Sequence, residues 1–217
     1  GMGEDNYRFH DHEKLAHYAD AATDIEFKFP FGFKELEGIH SRTDFDLKQH
    51  EEHSGKKLQY FDHEDNESYT PYVLETSIGL DRMFLAVFSN SLVEEELENN
   101  TTRTVLKLPA VLAPVKAAIL PLVRKDEALV KLSKEIIEDL KWDFSVAYDE
   151  KDAVGRRYRR QDANGTPFCI TVDHDTLEDN TVTIRHRDTM EQQRVKIEDV
   201  RSIISKEVDM RAWLQKM

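Results

Sequence analysis

Residues 75–82, ETSIGLDR, place a carboxylate, a hydroxyl, a glycine and an arginine where an apolar stretch leads into an apolar helix. Gly79 allows the backbone to approach a ligand closely, and Arg82 can hold a planar, permanently charged fork against phosphate. The N-terminus of the following helix favours anions. The segment therefore indicates a turn that holds a nucleotide, although on these residues alone an ordinary strand-to-helix turn is the commoner explanation.

A second group of charges lies in FKELEGIH, residues 33–40. On a regular strand, Glu35 and Glu37 point to one face and Leu36 points to the other. Glu75 joins the two carboxylates if its strand is a neighbour, and such a cluster could hold Mg²⁺ or the ammonium group of an amino acid. The alternative, which the residues alone favour, is a set of solvated charges on an exposed sheet face.

Basic and aromatic residues are interleaved in GRRYRRQ, residues 155–161. Arg156, Arg157 and Tyr158 suit RNA, because guanidinium groups pair with phosphates and a tyrosine ring can stack on an unpaired base. A solvated helix face balanced by nearby acids is an equally weighted alternative. The formal net charge of −13 argues on average against non-specific nucleic-acid binding, so an RNA contact is expected only at such a patch.

Histidines are frequent near the start of the chain, in HDHEKLAH, residues 10–17. His12 and His17 are five residues apart, which does not match the H-E-x-x-H spacing that places two ligands on one helix face, and we predict no metal site. Cys169 is the single cysteine, which excludes an intramolecular disulfide. Its apolar context, PFCITV, predicts a buried and unreactive thiol.

The elements that position these residues fall into two regions. In residues 2–100, alternating apolar residues predict strands, and three stretches predict helices. The first helix is expected at 11–23, the second ends at Gly55, and the third, at 79–92, is apolar on nearly all sides and therefore expected to be buried. This pattern predicts an antiparallel sheet with helices. The polar stretch 93–104 predicts the domain boundary.

Residues 102–217 have a more regular pattern. A continuous apolar run at 115–123 predicts a buried strand, and residues 126–140 predict an amphipathic helix. A strand, the basic helix ending at Gly165, another strand, a strand pair and a final helix at 198–208 follow. We expect a three-layer α/β domain with a mixed sheet, so that the chain as a whole is α/β (α+β).

Together the residues resemble a known family. The four blocks that carry the resemblance occur in the order RFHDHEKLAHYADAATDIEFKFPFGFKELEGIHSRTDFDL, YTPYVLETSIGLDRMFLA, LPAVLAPVKAAILPLV and GRRYRRQDANGTPFCITVDHDTLEDNTVTIRHRDTMEQ. They resemble the C-terminal part of glycyl-tRNA synthetases of the dimeric, class II type. The resemblance implies the end of a class II catalytic domain at 2–100 and an anticodon-binding domain at 102–217.

The resemblance also implies roles for individual residues. SIGLDR is similar to the third signature motif of class II synthetases, whose arginine, here Arg82, binds the ATP phosphates. Arg82 and Glu75 would be the catalytic residues. The ATP site would comprise Glu35, Leu36, Gly79, Leu80, Asp81 and Arg82. The glycine site would comprise Glu75, Thr76, Ser77, Ile78 and Gly79, with Thr76 standing where the family usually has proline.

The activity implied by the resemblance is ATP-dependent activation of glycine, with Mg²⁺, and its transfer to a glycine tRNA. Arg156, Arg157 and Tyr158 would contact that tRNA. The complete enzyme would be a homodimer, whereas this chain, which lacks the first two signature motifs, would be inactive alone. A non-catalytic accessory module that binds tRNA or a partner protein is the alternative.

Apolar runs in the chain are shorter than the roughly 18 residues that a membrane-spanning helix needs, and the first thirty residues do not have the pattern of a secretory signal. The single cysteine fits a reducing compartment. We therefore expect a cytoplasmic protein with no membrane partner.

Overall fold

A computed structural model describes residues 2–97 and 100–216, and the chain divides between Ser89 and Asn90 into two compact units. The elements of the first unit are a 3₁₀ helix (Glu4–Asn6), β1 (Tyr7–Asp11), β2 (Ala21–Phe29), β3 (Gly32–Ser41), α1 (Phe45–Ser54), β4 (Tyr60–Asp62), β5 (Glu67–Tyr69), β6 (Leu74–Ile78) and α2 (Leu80–Ser91), whose last residues belong to the second unit. The elements of the second unit are β7 (Leu92–Leu97), β8 (Thr101–Leu106), β9 (Ala117–Pro121), α3 (Glu127–Leu140), β10 (Val146–Tyr148), α4 (Val154–Asn164), β11 (Phe168–Val172), α5 (His174–Asp179), β12 (Thr181–His186), β13 (Gln192–Lys196), α6 (Ile197–Glu207) and α7 (Met210–Leu214).

The first unit is built on an antiparallel sheet with strand order β1-β2-β3-β6. Because side chains alternate between the faces of a strand, one face collects apolar residues and the other collects polar ones. Phe27, Phe29 and Leu36 are buried on the apolar face and pack with Ala86 of α2. The opposite, polar face is therefore the surface on which the predicted site residues can meet.

Two predictions for the first unit are wrong. Residues 11–23 do not form a helix, because Asp11 ends β1 and Ala21 begins β2, and the chain between them turns so that these strands can pair. The helix α2 is also not buried on all sides. Its Ala86 is fully buried, whereas Phe84 is 68% exposed, so the helix buries one face only. The predicted helix ending at Gly55 is confirmed, with Gly55 in the left-handed conformation that favours glycine.

The second unit contains a mixed sheet with strand order β10-β9-β11-β12-β13. The pairs β10–β9 and β9–β11 are parallel, and the remaining two pairs are antiparallel. On one face, α3 and α6 cover the main core, which is formed by Ala117, Ile119, Leu129, Ile136, Leu140, Phe168, Ile170, Val172, Val182, Ile184, Val200 and Ile204. On the other face, α4 covers Ala118, Leu120 and Cys169. The predicted three-layer α/β arrangement is confirmed.

Cys169 lies in the layer between β11 and α4 and is 1% exposed. Burial raises the pKa of its thiol to about 12, so the reactive thiolate is rare at neutral pH. The prediction of a buried, unreactive thiol agrees with both observations.

The polar stretch 93–104 is not a linker, because β7 and β8 pair as an antiparallel hairpin in the second unit. Its exposed side carries Glu94, Glu96, Thr102 and Thr104, whereas Arg103 on the other side is buried. Residues 98 and 99, at the predicted seam, lie outside the described residues. The division between residues 89 and 90 separates two compact units of the structure. The functional division into domains 2–100 and 102–217 stays a prediction.

A buried charge cluster joins three elements of the second unit. The Asp162 carboxylate of α4, which is fully buried, accepts hydrogen bonds from Arg185 of β12 at 2.7 and 3.0 Å. It accepts another at 3.1 Å from Arg103 of β8. Arg103 also donates to the carbonyl oxygen of Arg187 at 2.8 Å. This cluster holds α4, and with it the basic segment 155–161, against the sheet.

Candidate functional site

Strand pairing brings several of the predicted site residues to the polar face of the first sheet. In the β3–β6 ladder, Glu75 lies opposite His40 and Ser77 lies opposite Gly38. In the β2–β3 ladder, Gly38 lies opposite Asp24. Because directly paired residues of antiparallel strands project from the same face, Glu75, Ser77 and Asp24 share one surface. Gly38 has no side chain there, and a β-carbon at this position would lie only 3.2 Å from the His40 ring.

A β-bulge at Leu36 changes the expected arrangement of the two glutamates on β3. Ile25 of β2 pairs with Glu37, whereas the next residue, Glu26, pairs with Glu35, so Leu36 is the extra residue. Ile25 and Glu26 project from opposite faces, and their partners must do the same. The prediction that Glu35 and Glu37 share a face is therefore wrong. Glu35 lies on the polar face with Glu75, and Glu37 lies on the other.

Arg82, in the first turn of α2, reaches back to β3. Its Nη1 donates a hydrogen bond to the backbone carbonyl of Glu35 and lies 3.5 Å from the Glu35 carboxylate. The two side chains are 51% and 53% exposed, so neither charge is buried by the contact. The structure thus brings together two residues that the resemblance assigned to the ATP site, and it leaves the guanidinium accessible.

Segment 76–81 is accessible to solvent along its length, including Thr76, Ser77, Ile78, Gly79, Leu80 and Asp81. Leu36 differs, because its side chain is buried in the core and only its backbone can face a ligand. A β-carbon at Gly79 would meet the Arg82 side chain at an ordinary contact distance of 3.7 Å. Within the described residues, a β-carbon at position 79 would therefore not clash with its neighbours. Glycine leaves the turn open to a ligand, but close packing does not require it.

Glu75 has a partner that the sequence did not suggest. Arg42, which follows β3, places its Nη1 2.8 Å from one carboxylate oxygen of Glu75. The same guanidinium donates to both oxygens of Asp46, at 2.5 and 3.1 Å, and lies 4.1 Å from the centre of the Tyr18 ring. The i, i+4 spacing of Arg42 and Asp46 was a signal for their pairing, but nothing local in the sequence connects either residue to Glu75.

The basic segment of α4 divides into buried and exposed side chains. Arg157 is 1% exposed and donates to the carbonyl oxygens of Pro121, Leu122 and Asp149 at 2.7, 3.3 and 3.1 Å. Tyr158 packs beside Cys169 and its hydroxyl is 2.7 Å from that of Thr171. These placements disagree with direct contact between tRNA and Arg157 or Tyr158, because their polar groups serve the fold.

The exposed cations of this region lie around the ends of two parallel strands. Arg156 and Arg159 of α4 are exposed. A cleft of about 530 Å³ is lined by the segments after β9 and β10 and includes the cations Arg124, Lys125 and Lys151 together with the acids Glu150 and Asp152. The carboxyl ends of parallel strands are the usual location of ligand sites in open α/β sheets. Arg157 forms the floor of this cleft and ties its two loops together.

The histidine-rich segment does not assemble a metal site in the described part of the chain. His12 lies 2.9 Å from Asp24, and its ring is 6.1 Å from that of His40. Among residues 2–97 and 100–216, no group of three or more histidine, cysteine or acidic side chains has the arrangement of a metal site. No helix within those ranges is both long and apolar enough to cross a bilayer.

Comparison with known proteins identifies the class of the second unit. The family model described as "Anticodon binding domain" matches residues 116–207, which cover the sheet from β9 onwards and all of α3 to α6. The chain therefore carries an anticodon-binding domain.

Curated relatives extend the identification to nearly the whole chain. It is 53% identical over 195 residues to glycine–tRNA ligase of Chlorobaculum tepidum, with 90% of this chain and 41% of the relative covered. It is 54% identical over 215 residues to that of Clostridium perfringens, with 96% and 45% covered, and 52% identical over 210 residues to that of Geobacillus thermodenitrificans, with 96% and 44% covered. The chain is thus homologous to the C-terminal part of glycine–tRNA ligases, which are aminoacyl-tRNA synthetases, and the resemblance seen in the sequence is confirmed. It spans less than half the length of these relatives.

Proposed function

We propose that this chain is part of a glycine–tRNA ligase that activates glycine with ATP and transfers it to a glycine tRNA. In this proposal, the first unit supplies one wall of the ATP and glycine sites and the second unit binds the tRNA. The observation that carries the proposal is the meeting of Arg82 with Glu35 beside the polar sheet face that bears Glu75 and Ser77. The whole protein is a cytoplasmic homodimer in this proposal.

Arg82 would bind the ATP phosphates, because it is permanently charged, half exposed and hydrogen-bonded to the Glu35 carbonyl. Gly79, Leu80 and Asp81 would line the same nucleotide with accessible backbone and side-chain groups. Leu36 would take part through its backbone, because its side chain is in the core. The phosphate charge favours both Arg82 and the nearby helix N-terminus.

Glycine would bind at Glu75, whose carboxylate attracts the substrate ammonium group, with Ser77 on the same face as a hydrogen-bonding group. Thr76, Ile78 and Gly79 complete this segment. Since glycine offers no side chain to recognise, selectivity must come from excluding larger amino acids. A single methylene in a roomy pocket gives only about 1–3 kcal/mol of discrimination. The accessible pocket segment seen here therefore needs further walls from the rest of a complete enzyme.

Adenylate formation depends on orienting the glycine carboxylate against the α-phosphate and on stabilising the charge that develops there. Mg²⁺ bound with ATP would neutralise phosphate charge, with the phosphate oxygens among its ligands. In this chain, Arg82 supplies the positive charge and Glu75 holds the amino group. Both act by binding and orientation, and neither needs to form a covalent bond.

The second unit would bind tRNA through its exposed cations. Arg156 remains in the proposed surface, and Arg159, Arg124, Lys125 and Lys151 join it. Arg157 and Tyr158 would act indirectly, by holding α4 and the two loops of the cleft in place. The anticodon-binding domain match supports tRNA as the partner of this unit.

A chimaeric enzyme tests this proposal. Residues 2–217 replace the matching C-terminal part of the Clostridium perfringens relative, and glycine-dependent exchange between ATP and pyrophosphate is measured. We expect activity in the chimaera, a loss of about 100- to 1,000-fold in Arg82→Met, and little change in Arg201→Met, whose guanidinium pairs with Asp139 of α3 and Asp143 of the turn that follows it. A folded chimaera without exchange activity would contradict the proposal and favour the accessory-module alternative.

A further inference from the structure

The ion pair between Arg42 and Glu75 poses a problem for the proposed glycine site. A carboxylate that attracts an ammonium group should carry net negative charge, yet Glu75 already lies 2.8 Å from a permanent cation. A simple Arg–Glu pair would be neutral overall and would attract glycine weakly. The surroundings of Arg42 resolve this problem.

Asp46 neutralises the positive charge of Arg42. It accepts two hydrogen bonds from the guanidinium, through Nε and Nη2, whereas Glu75 faces only Nη1. Such fork-to-carboxylate pairs are strong and directional. The hydrogen bond from Arg42 lowers the pKa of Asp46, so Asp46 stays ionised at neutral pH. Arg42, Asp46 and Glu75 then carry one positive and two negative charges, and one net negative charge remains.

The geometry also leaves one oxygen of Glu75 available. Arg42 approaches Oε2, and within residues 2–97 and 100–216 no ion pair involves Oε1. The position of Arg42 is restrained at both ends. Its guanidinium lies over the Tyr18 ring, and its backbone N–H donates to the carbonyl of Val73 at 2.9 Å. Arg42 therefore fixes one side of the Glu75 carboxylate while the other side stays accessible.

We propose that Arg42 and Asp46 are positioning residues for Glu75: Arg42 orients its carboxylate, and Asp46 cancels the charge of Arg42 so that Glu75 attracts the glycine ammonium group. This inference rests on the proposed function of Glu75 and adds residues that lie outside segment 75–82. Neither residue contacts the reacting atoms. Their effect is expected in glycine binding and not in ATP binding.

The active chimaera provides the kinetic test. We expect Asp46→Asn to raise the KM for glycine about three- to tenfold, with kcat and the KM for ATP changed less than about twofold, because the site loses its net charge but keeps its shape. Arg42→Met should also raise the KM for glycine, and Arg42→Lys should recover part of it. Asp44→Asn is the matched control, since Asp44 lies at the start of the same helix and pairs with Lys48.

Two kinetic results would overturn the inference. One is an unchanged glycine KM in Asp46→Asn. The other is tighter glycine binding in Arg42→Met, which would show that Arg42 competes with the substrate for Glu75. Equal changes in the glycine and ATP constants would also count against it, because they would indicate a general loss of structure.

A measurement on the 217-residue chain tests the contacts on which the inference depends without any catalysis, so that an inactive chimaera bears only on the proposed function. With ¹⁵N-labelled arginine, the Nε–Hε signal of Arg42 is followed by NMR. It should shift in Asp46→Asn and in Glu75→Gln, and stay in place in Asp44→Asn. If Glu75→Gln leaves the Arg42 signals unchanged, Arg42 does not hold Glu75 and the inference is wrong.

Discussion

The two units use arginine and carboxylate side chains in opposite ways. In the first unit, Arg82 and Glu35 form one exposed contact, and about half of each side chain remains accessible. In the second unit, Arg103, Arg185 and Asp162 are buried and joined by several hydrogen bonds. The same residue types thus lie in an accessible, proposed ligand site in one unit and serve the fold in the other. Burial and the number of acceptors distinguish the two uses, whereas residue type does not.

The largest expected effect comes from breaking the buried cluster. Asp162→Asn removes the charge that compensates two buried arginines, and we expect it to lower the free energy of unfolding of the second unit by about 3–5 kcal/mol. Both tryptophans, Trp142 and Trp213, lie in this unit, so urea unfolding followed by tryptophan fluorescence reports on it specifically.

The control for this prediction is Glu135→Gln, because Glu135 is an exposed acid of α3 with a distant partner, Lys131, at 3.9 Å. It should change the free energy of unfolding by less than about 0.5 kcal/mol. Similar values for Asp162→Asn and the control would show that the buried charges are not needed for stability, and the contrast between the units would fail.

Arg157 provides the next test, since sequence analysis assigned it to RNA and the structure places it in the fold. Arg157→Met leaves three carbonyl oxygens without their donor, and we expect a loss of about 2–3 kcal/mol in the free energy of unfolding. The neighbouring Arg156→Met should have almost no effect on stability. Equal stability of the two variants in the same urea experiment would contradict a structural role for Arg157.

This example shows which features a sequence pattern can predict. The helices α3 and α6 were predictable because Leu129, Ile136 and Leu140, and likewise Val200 and Ile204, repeat at helical spacing and are indeed buried. The buried face of α4 carries Arg157, Gln161 and Asp162, which are polar residues that a search for apolar stripes assigns to solvent. Their burial depends on carbonyl and arginine partners that are distant in sequence.

The candidate site shows the same limit. The resemblance assigned Arg82 and Glu35 to one site, and the structure places these two residues in contact, but a strand pattern with period two could not predict the bulge at Leu36 that separates Glu37 from Glu35. Arg42 was missed for another reason. Its contact with Glu75 depends on the pairing of β3 with β6, which no local signal specifies.

Cys169 allows a smaller and pH-dependent test of burial in the second unit. Burial raises the pKa of its thiol from 9.0 to about 12, so above pH 9 the unfolded chain loses this proton while the folded protein retains it. Ionisation then favours unfolding, and stability falls as pH rises from 9 towards 12. Between pH 8 and pH 10, this group should cost about 1.4 kcal/mol in the free energy of unfolding.

Cys169→Ala removes the ionisation of the thiol. Between pH 8 and pH 10, the free energy of unfolding of this variant should therefore fall less than that of the wild-type chain, and the difference should equal the contribution of the thiol. The comparison cancels the tyrosines and lysines, which titrate in both proteins. Parallel pH profiles for the two proteins would show that the thiol is solvated in the folded state, contrary to its burial against Tyr158.

The smallest effects on stability, and the sharpest test of the contrast, come from the exposed arginines of α4. Arg156→Gln and Arg159→Gln should each leave the urea midpoint nearly unchanged but weaken tRNA binding. Each lost phosphate contact should reduce the slope of log affinity against log salt by about 0.7–0.9. Fluorescence anisotropy with a labelled glycine tRNA, and with the same tRNA carrying changed second and third anticodon bases, measures the affinity and its salt dependence.

A uniform loss of affinity for both tRNAs indicates backbone contacts, because phosphates carry no sequence information. A loss confined to the tRNA with the native anticodon would place an arginine at a base edge. If neither variant changes the affinity or its salt dependence, the tRNA does not use the exposed side of α4, and the proposed role of Arg156 and Arg159 in tRNA binding is wrong.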